Sequence, residues 1–175
     1  AVIDSIRELR EAMRRSNKKI RMKPGTYRVK DTLPDDNKTV FRCSGSNNHF
    51  DLRDVTIQID TRVLNDMPDA GAHALGVYRI TGDGNAFEGA VFEDVGMKPP
   101  RRGLSDFSVA GNGNVFRGCS FIVRGSYPYG YGDMYGKGAG AAVFHRKHSC
   151  MAIGGDHNTV EDCYFHVKSF GHCIH

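Results

Sequence analysis

Val2, Ile3, Ile6, Leu9 and Met13 fall on one stripe at helical spacing, ringed by Arg7, Arg10, Glu11 and Arg14, with Asp4 or Ser5 placed near the start. One short amphipathic helix is therefore predicted within residues 1–16. After it the rhythm changes to short alternating segments, first around Ile20 and Met22 and then Tyr27 to Val29 beyond the Pro24-Gly25 turn, which is strand spacing. The remainder predicts strands and turns, with no further helix.

The strand-like part repeats itself. Four segments beginning at Phe41, Tyr78, Phe107 and Met151 share one pattern: apolar, any, apolar, any, Gly, any, any, Asn. Their glycines are Gly45, Gly82, Gly111 and Gly155, and their asparagines are Asn48, Asn85, Asn114 and Asn158. Two residues past each Asn lie Phe50, Phe87, Phe116 and Val160, and seven past lie Val55, Phe92, Phe121 and Phe165. A fifth copy begins at Cys173, Ile174 and His175, which match Cys150, Met151 and Ala152 at a spacing of 23 residues.

A repeat of short strands and Gly/Asn turns cannot bury its apolar face alone. Stacked copies can, with strands about 4.8 Å apart. The expected fold class is all-β, a β-solenoid with an N-terminal capping α-helix, forming a single domain over residues 1–175. The spacings of 37, 29 and 44 residues between successive asparagines exceed 23, so material is inserted at 61–77, 95–106 and 124–149, where binding sites are commonly built. The fifth copy would leave an open strand edge, so the expectation is that this segment is the N-terminal part of a longer solenoid or that another chain covers that edge.

Composition narrows the classes. Of 175 residues 39% are hydrophobic and 25% charged, which is globular, and no apolar run reaches membrane-spanning length. The 21 glycines fit frequent turns. A net charge of +4, without a recognition helix or an aromatic RNA-binding motif, argues against nucleic acid as partner. Five cysteines form no CxxC pair and no even set, so a disulfide framework is not expected; Cys119 with Cys163, and Cys150 with Cys173, read as side-chain ladders between copies.

The helix, the Pro24-Gly25-Thr26-Tyr27 first turn and the Asn-rich turns resemble the right-handed parallel β-helix proteins of the pectate-lyase-like superfamily, over nearly the whole chain. The resemblance implies a secreted or periplasmic carbohydrate-active protein that handles an acidic polysaccharide, with lyases, hydrolases, epimerases and binding spikes all carried on that scaffold. Calcium often supplies the neutralising cation in such lyases, and Asp133 is the acidic residue of the last insertion that could help to hold it.

With Phe41/Cys43, Tyr78/Ile80, Phe107/Val109 and Met151/Ile153 inward, strict alternation turns Arg42, Arg79, Ser108, Ala152 and His175 outward, with Val40, Val77, Asp106, Cys150 and Cys173 beside them. Insertions holding Lys98, Arg101, Arg102, Arg124, Lys137, Arg146 and Lys147 would wall this face, a surface suited to a polyanion; the plain alternative is a solvated face with scattered charges. Tyr127, Tyr129, Tyr131 and Tyr135 sit among glycines of the last insertion, where they could stack on sugars or simply pack a flap.

Elimination from a uronate polymer needs a cation for the carboxylate, a base for the adjacent proton and an acid for the leaving oxygen. The candidates are Lys147 or His148 as base, His172 or Tyr131 as acid, and Arg79 or His175 as carboxylate partner, with Lys137, Arg146, Tyr127, Tyr129 and Tyr135 binding substrate. Hydrolysis would need two facing carboxyl groups, and the outward strand positions offer only Asp106. A non-catalytic spike or adhesin segment, or part of an enzyme, is the alternative class. Zinc is a competing reading of His145, His148, Cys150, His172, Cys173 and His175, ranked below the sugar reading.

Overall fold

A computed structural model describes residues 1–68, 76–96, 103–124, 135–136, 143–144, 148–168 and 171–175, with backbone alone at 65, 135–136 and 143–144. The chain is mostly β, with parallel sheets throughout. In sheet I, β1 (Val2–Ile3), β2 (Lys19–Met22), β5 (His49–Asp51), β8 (Ala86–Glu88), β11 (Val115–Arg117) and β16 (Thr159–Glu161) lie side by side in that order. Sheet II runs β3 (Gly25–Val29), β6 (Val55–Asp60), β9 (Val91–Val95), β12 (Ser120–Val123), β17 (Tyr164–Val167). Sheet III runs β4 (Thr39–Cys43), β7 (Gly76–Ile80), β10 (Leu104–Val109), β15 (His148–Ile153). From β2 onward the chain visits sheets I, II and III in the same cyclic order, round after round; a two-stranded pair, β13 (Tyr135–Gly136) with β14 (Val143–Phe144), lies in the last insertion.

Helix α1 (Ile6–Met13) starts at Ser5, whose hydroxyl accepts from Glu8 N while Glu8 reaches back to Ser5 Oγ and Asp4 N, a reciprocal capping box. Its buried stripe is Leu9, Ala12 and Met13. Val2 and Ile3, placed on that stripe by spacing, instead form β1 and pair with β2, because Ala1 O and Ile3 O accept from Arg21 N and Lys23 N. The helix lies against β4: Met13 O accepts from Gly45 N, and Arg10 donates to Val40 O with its guanidinium over the Phe41 ring. A second helix, α2 (Thr61–Asp66), was not expected; Asp60 caps it by accepting from Arg62 N, and it opens the first insertion.

Stacking follows the repeat. Phe41, Tyr78, Phe107 and Met151 are in register, as are Phe50, Phe87, Phe116 and Val160, and Phe121 stacks on Phe92 and Phe165. One alignment shifts: Phe92 pairs with Ile57, not Val55, because the corner between β5 and β6, through Leu52, Arg53 and Asp54, the last with φ 62°, is two residues longer than that between β8 and β9. All five cysteines are free thiols.

The asparagines form a ladder. Asn85 Oδ1 accepts from Asn48 N and Nδ2, while Asn85 Nδ2 donates to Gly45 O and Asn114 Oδ1; Asn114 N donates to Asn158 Oδ1. Asn85 is fully buried, so Asn85→Ala leaves several buried donors and acceptors without partners. At about 1–3 kcal/mol per unsatisfied group, a loss of roughly 3 kcal/mol is expected in urea unfolding, whereas an exposed polar change such as Ser44→Ala should cost under about 1.

Candidate functional site

Two groupings stand at sheet III, one on its outer face and one beneath its leading corner. On the outside, Arg42, Arg79, Ser108 and Ala152 are in register, and Met151 pairs with Ile174, which sets His175 over Ala152. Residues 172–175 thus continue the sheet: Cys150 N donates to His172 O, Ile153 N to His175 O, and His175 N to Met151 O. His172 N donates to Ser149 Oγ, and the His172 and His175 rings lie 5.1 Å apart, both exposed. Arg42 is held by Asp36 and Asp35 at 2.5 and 3.4 Å. Arg79 is half-buried and makes no ion pair among the described residues. Its stem runs over Gly76, where a Cβ would stand 3.4 Å from Arg79 Cγ and 3.5 Å from Ser108 Cβ, so these side chains share one face.

Of the second column expected outward, Cys173 alone is exposed. Val40, Val77, Asp106 and Cys150 are buried, as are the residues after them, Phe41, Tyr78, Phe107 and Met151. Alternation breaks where the chain enters sheet III, and both residues of each pair turn inward. Asp106 therefore occupies a core position. It meets two others: Asp94, which pairs with Ile59 in an apolar column of sheet II, and His148, which pairs with Leu104. His148 Nε2 lies 2.5 Å from Asp106 Oδ1 and 3.7 Å from Asp94 Oδ2, and Asp94 Oδ2 accepts from Arg124 N at 3.1 Å.

Burial sets the electrostatics of this cluster. Removal from water, then the charge of Asp106, pushes the Asp94 carboxyl up to about 7, against the pull of His148. Burial works to lower His148, but the charge and hydrogen bond of Asp106, with the charge of Asp94, raise it to about 9. Tyr78 is pushed well above the ordinary phenol range, by burial first and then by Asp106 and Asp94. The cluster is a buried proton-sharing set, or a set of ligands, and His148 itself is fully buried.

Of the residues singled out from sequence, the structure brings His172 and His175 together, places Arg79 on the same face, and removes His148 from it. Lys147, Tyr131, Lys137, Tyr127, Tyr129 and Arg146, with Lys98, Arg101, Arg102, Asp133 and His145, lie outside the described residues, as does the side chain of Tyr135. Asp94 was missed. Its signal was present, a carboxylate in a column otherwise held by Val29, Ile59, Val123 and Val167, but it becomes visible only once the register is known. No family model matches the sequence, and no curated protein matches it.

Proposed function

We propose that the chain winds as a right-handed parallel β-helix of the pectate-lyase-like kind, binds an acidic polysaccharide along the outer face of sheet III, and cleaves it by β-elimination. The cyclic passage through three parallel sheets, the helix at the first strand edge and the Asn ladder support the architecture. The observation that carries the function is the alignment on one face of Arg79, which makes no ion pair among the described residues, with two adjacent imidazoles, His172 and His175.

Arg79 and His175 are three ranks apart, roughly 14 Å at about 4.8 Å per strand, too far to serve one sugar. Arg79 is accordingly the anchor of a neighbouring carboxylate, and chemistry belongs to the histidine pair. His175 neutralises the uronate at the cleaved bond and His172 removes the proton next to that carboxylate. The electron pair forms a C=C bond as the glycosidic C–O bond breaks, and an acid such as Tyr131 protonates the departing oxygen. A substrate of this kind places the protein in a secreted or periplasmic setting.

Incubation with alginate, pectate and glycosaminoglycans should yield the ultraviolet absorbance of an unsaturated uronate. Arg79→Ala should raise KM roughly ten- to a hundredfold with kcat nearly kept, as for loss of one charge-assisted hydrogen bond. His172→Ala should lower kcat by about 10²–10⁴. Reducing ends without the absorbance would mean hydrolysis, retention without turnover would mean a binding module, and full activity of His172→Ala would remove the assignment of the base.

A further inference from the structure

We infer that Asp94, Asp106 and His148 form a binding site for a divalent first-row metal ion, zinc by its donor set, inside the corner where the chain crosses from sheet II to sheet III. Three side chains from three strands bring one oxygen, another oxygen and one nitrogen within 4.8 Å of one another, all buried. Each replaces an apolar residue of its column, so the cluster is an interruption of the core and not an extension of a charged surface.

The distances suit a small ion. Zinc bonds nitrogen and oxygen at about 2.0–2.2 Å, which sets tetrahedral ligands roughly 3.4 Å apart. His148 to Asp106, at 2.5 Å, would open by under about 1 Å, and His148 to Asp94, at 3.7 Å, would close by a few tenths. An imidazole with two carboxylates selects against calcium and magnesium, which take all-oxygen shells. Two carboxylates also balance a 2+ ion in a medium that penalises net charge.

A second observation points to the same place. The Tyr78 phenol oxygen is buried and has no hydrogen-bond partner among the described residues, and both carboxylates act on it. Its ring is stacked between Phe41 at 4.7 Å and Phe107 at 4.3 Å and meets Phe92 edge-on at 5.2 Å; Phe107 is next to Asp106 and Phe92 is two before Asp94. Asp94 and Asp106 bracket residues 95–105, and His148 follows residues 125–147, so an ion here would fasten the roots of both insertions. The inference stands apart from the polysaccharide reading.

Protein stripped with chelator and dialysed against Zn²⁺ should retain one ion per chain by elemental analysis, with a rise in melting temperature that Ca²⁺ does not reproduce. Asp94→Asn and Asp106→Asn should each lower retention at least tenfold. His172→Ala/His175→Ala should keep the ion, which separates this site from the exposed histidines. The wild-type protein loaded with Co²⁺ should show d–d bands without a thiolate charge-transfer band, a readout needing no variant. No retained ion, retention unchanged in Asp94→Asn, loss in the His172/His175 variant, or a thiolate band would each overturn the site.

Discussion

Gly82→Ala is expected to cost more than about 4 kcal/mol, enough to unfold much of a domain whose whole stability is about 5–15 kcal/mol. A Cβ at Gly82 would overlap the carbonyl of Gly45, and the same relation holds for Gly45 on Arg15, Gly111 on Gly82 and Gly155 on Gly111. The obstacle is backbone, so no side chain can swing aside. Relief would come only by parting the rounds, which would strain the bonds from Thr81 N and Gly82 N to Cys43 O and the amide ladder between Asn48 and Asn85. Gly113→Ala is the contrasting case. Its Cβ meets nothing within 4 Å, and the cost is the left-handed backbone at φ 63°, about 1–2 kcal/mol. Urea unfolding followed by circular dichroism compares the two, and a Gly82→Ala protein within 1 kcal/mol of wild type would remove the close-approach argument.

The same glycine column explains why so much was legible beforehand. Stacking makes every round meet identical demands: a position with no Cβ, an amide that bonds above and below, and an aromatic facing its own kind. Such demands recur in sequence at Gly45, Gly82, Gly111 and Gly155 and at their asparagines. What differs from round to round was not legible. The longer corner between β5 and β6 displaced Val55, and α2, at six residues with a single Asp60 cap, was too short for periodicity to detect.

The buried cluster was hidden by an assumption of unbroken alternation. Val40-Phe41, Val77-Tyr78 and Cys150-Met151 are pairs of adjacent apolar residues, which is the trace of a strand turning two neighbours inward. Read that way, Asp106 before Phe107 is the exception among four pairs. The candidate base His148 fell with it, since a histidine paired to a core Leu104 cannot also face solvent.

Chelator-treated protein should be most stable near pH 4 and lose on the order of 5 kcal/mol by pH 9. Asp94 and His148 are both raised in the folded state, to about 7 and about 9. Between roughly pH 4 and 9 the folded chain therefore holds more protons than the unfolded one, and stability falls as pH rises. Asp94's contribution is lost from the ordinary carboxylate range up through about 7, and that of His148 from about 6.5 up through about 9. On the acid side the sign reverses. Asp51, held down to about 2 by Arg53, and Asp60, held low by Arg62 and Arg28, stabilise above the ordinary carboxylate range and cease to do so as pH falls through their lowered values.

Two variants divide the alkaline limb. Asp94→Asn keeps an oxygen for Arg124 N and removes one titration, so it should flatten the loss between pH 5 and 7 and leave the protein at least as stable as wild type at pH 8. Asp106→Ala leaves a buried imidazolium without its carboxylate and should cost about 3–5 kcal/mol at pH 5–6, shrinking toward pH 9 as His148 loses its proton in the wild type. Urea midpoints measured from pH 3 to 9 read all three curves. A wild-type profile that stays level from pH 5 to 9 would mean that the cluster does not share protons as its burial requires, and the two aspartates would then be held by some other source of positive charge.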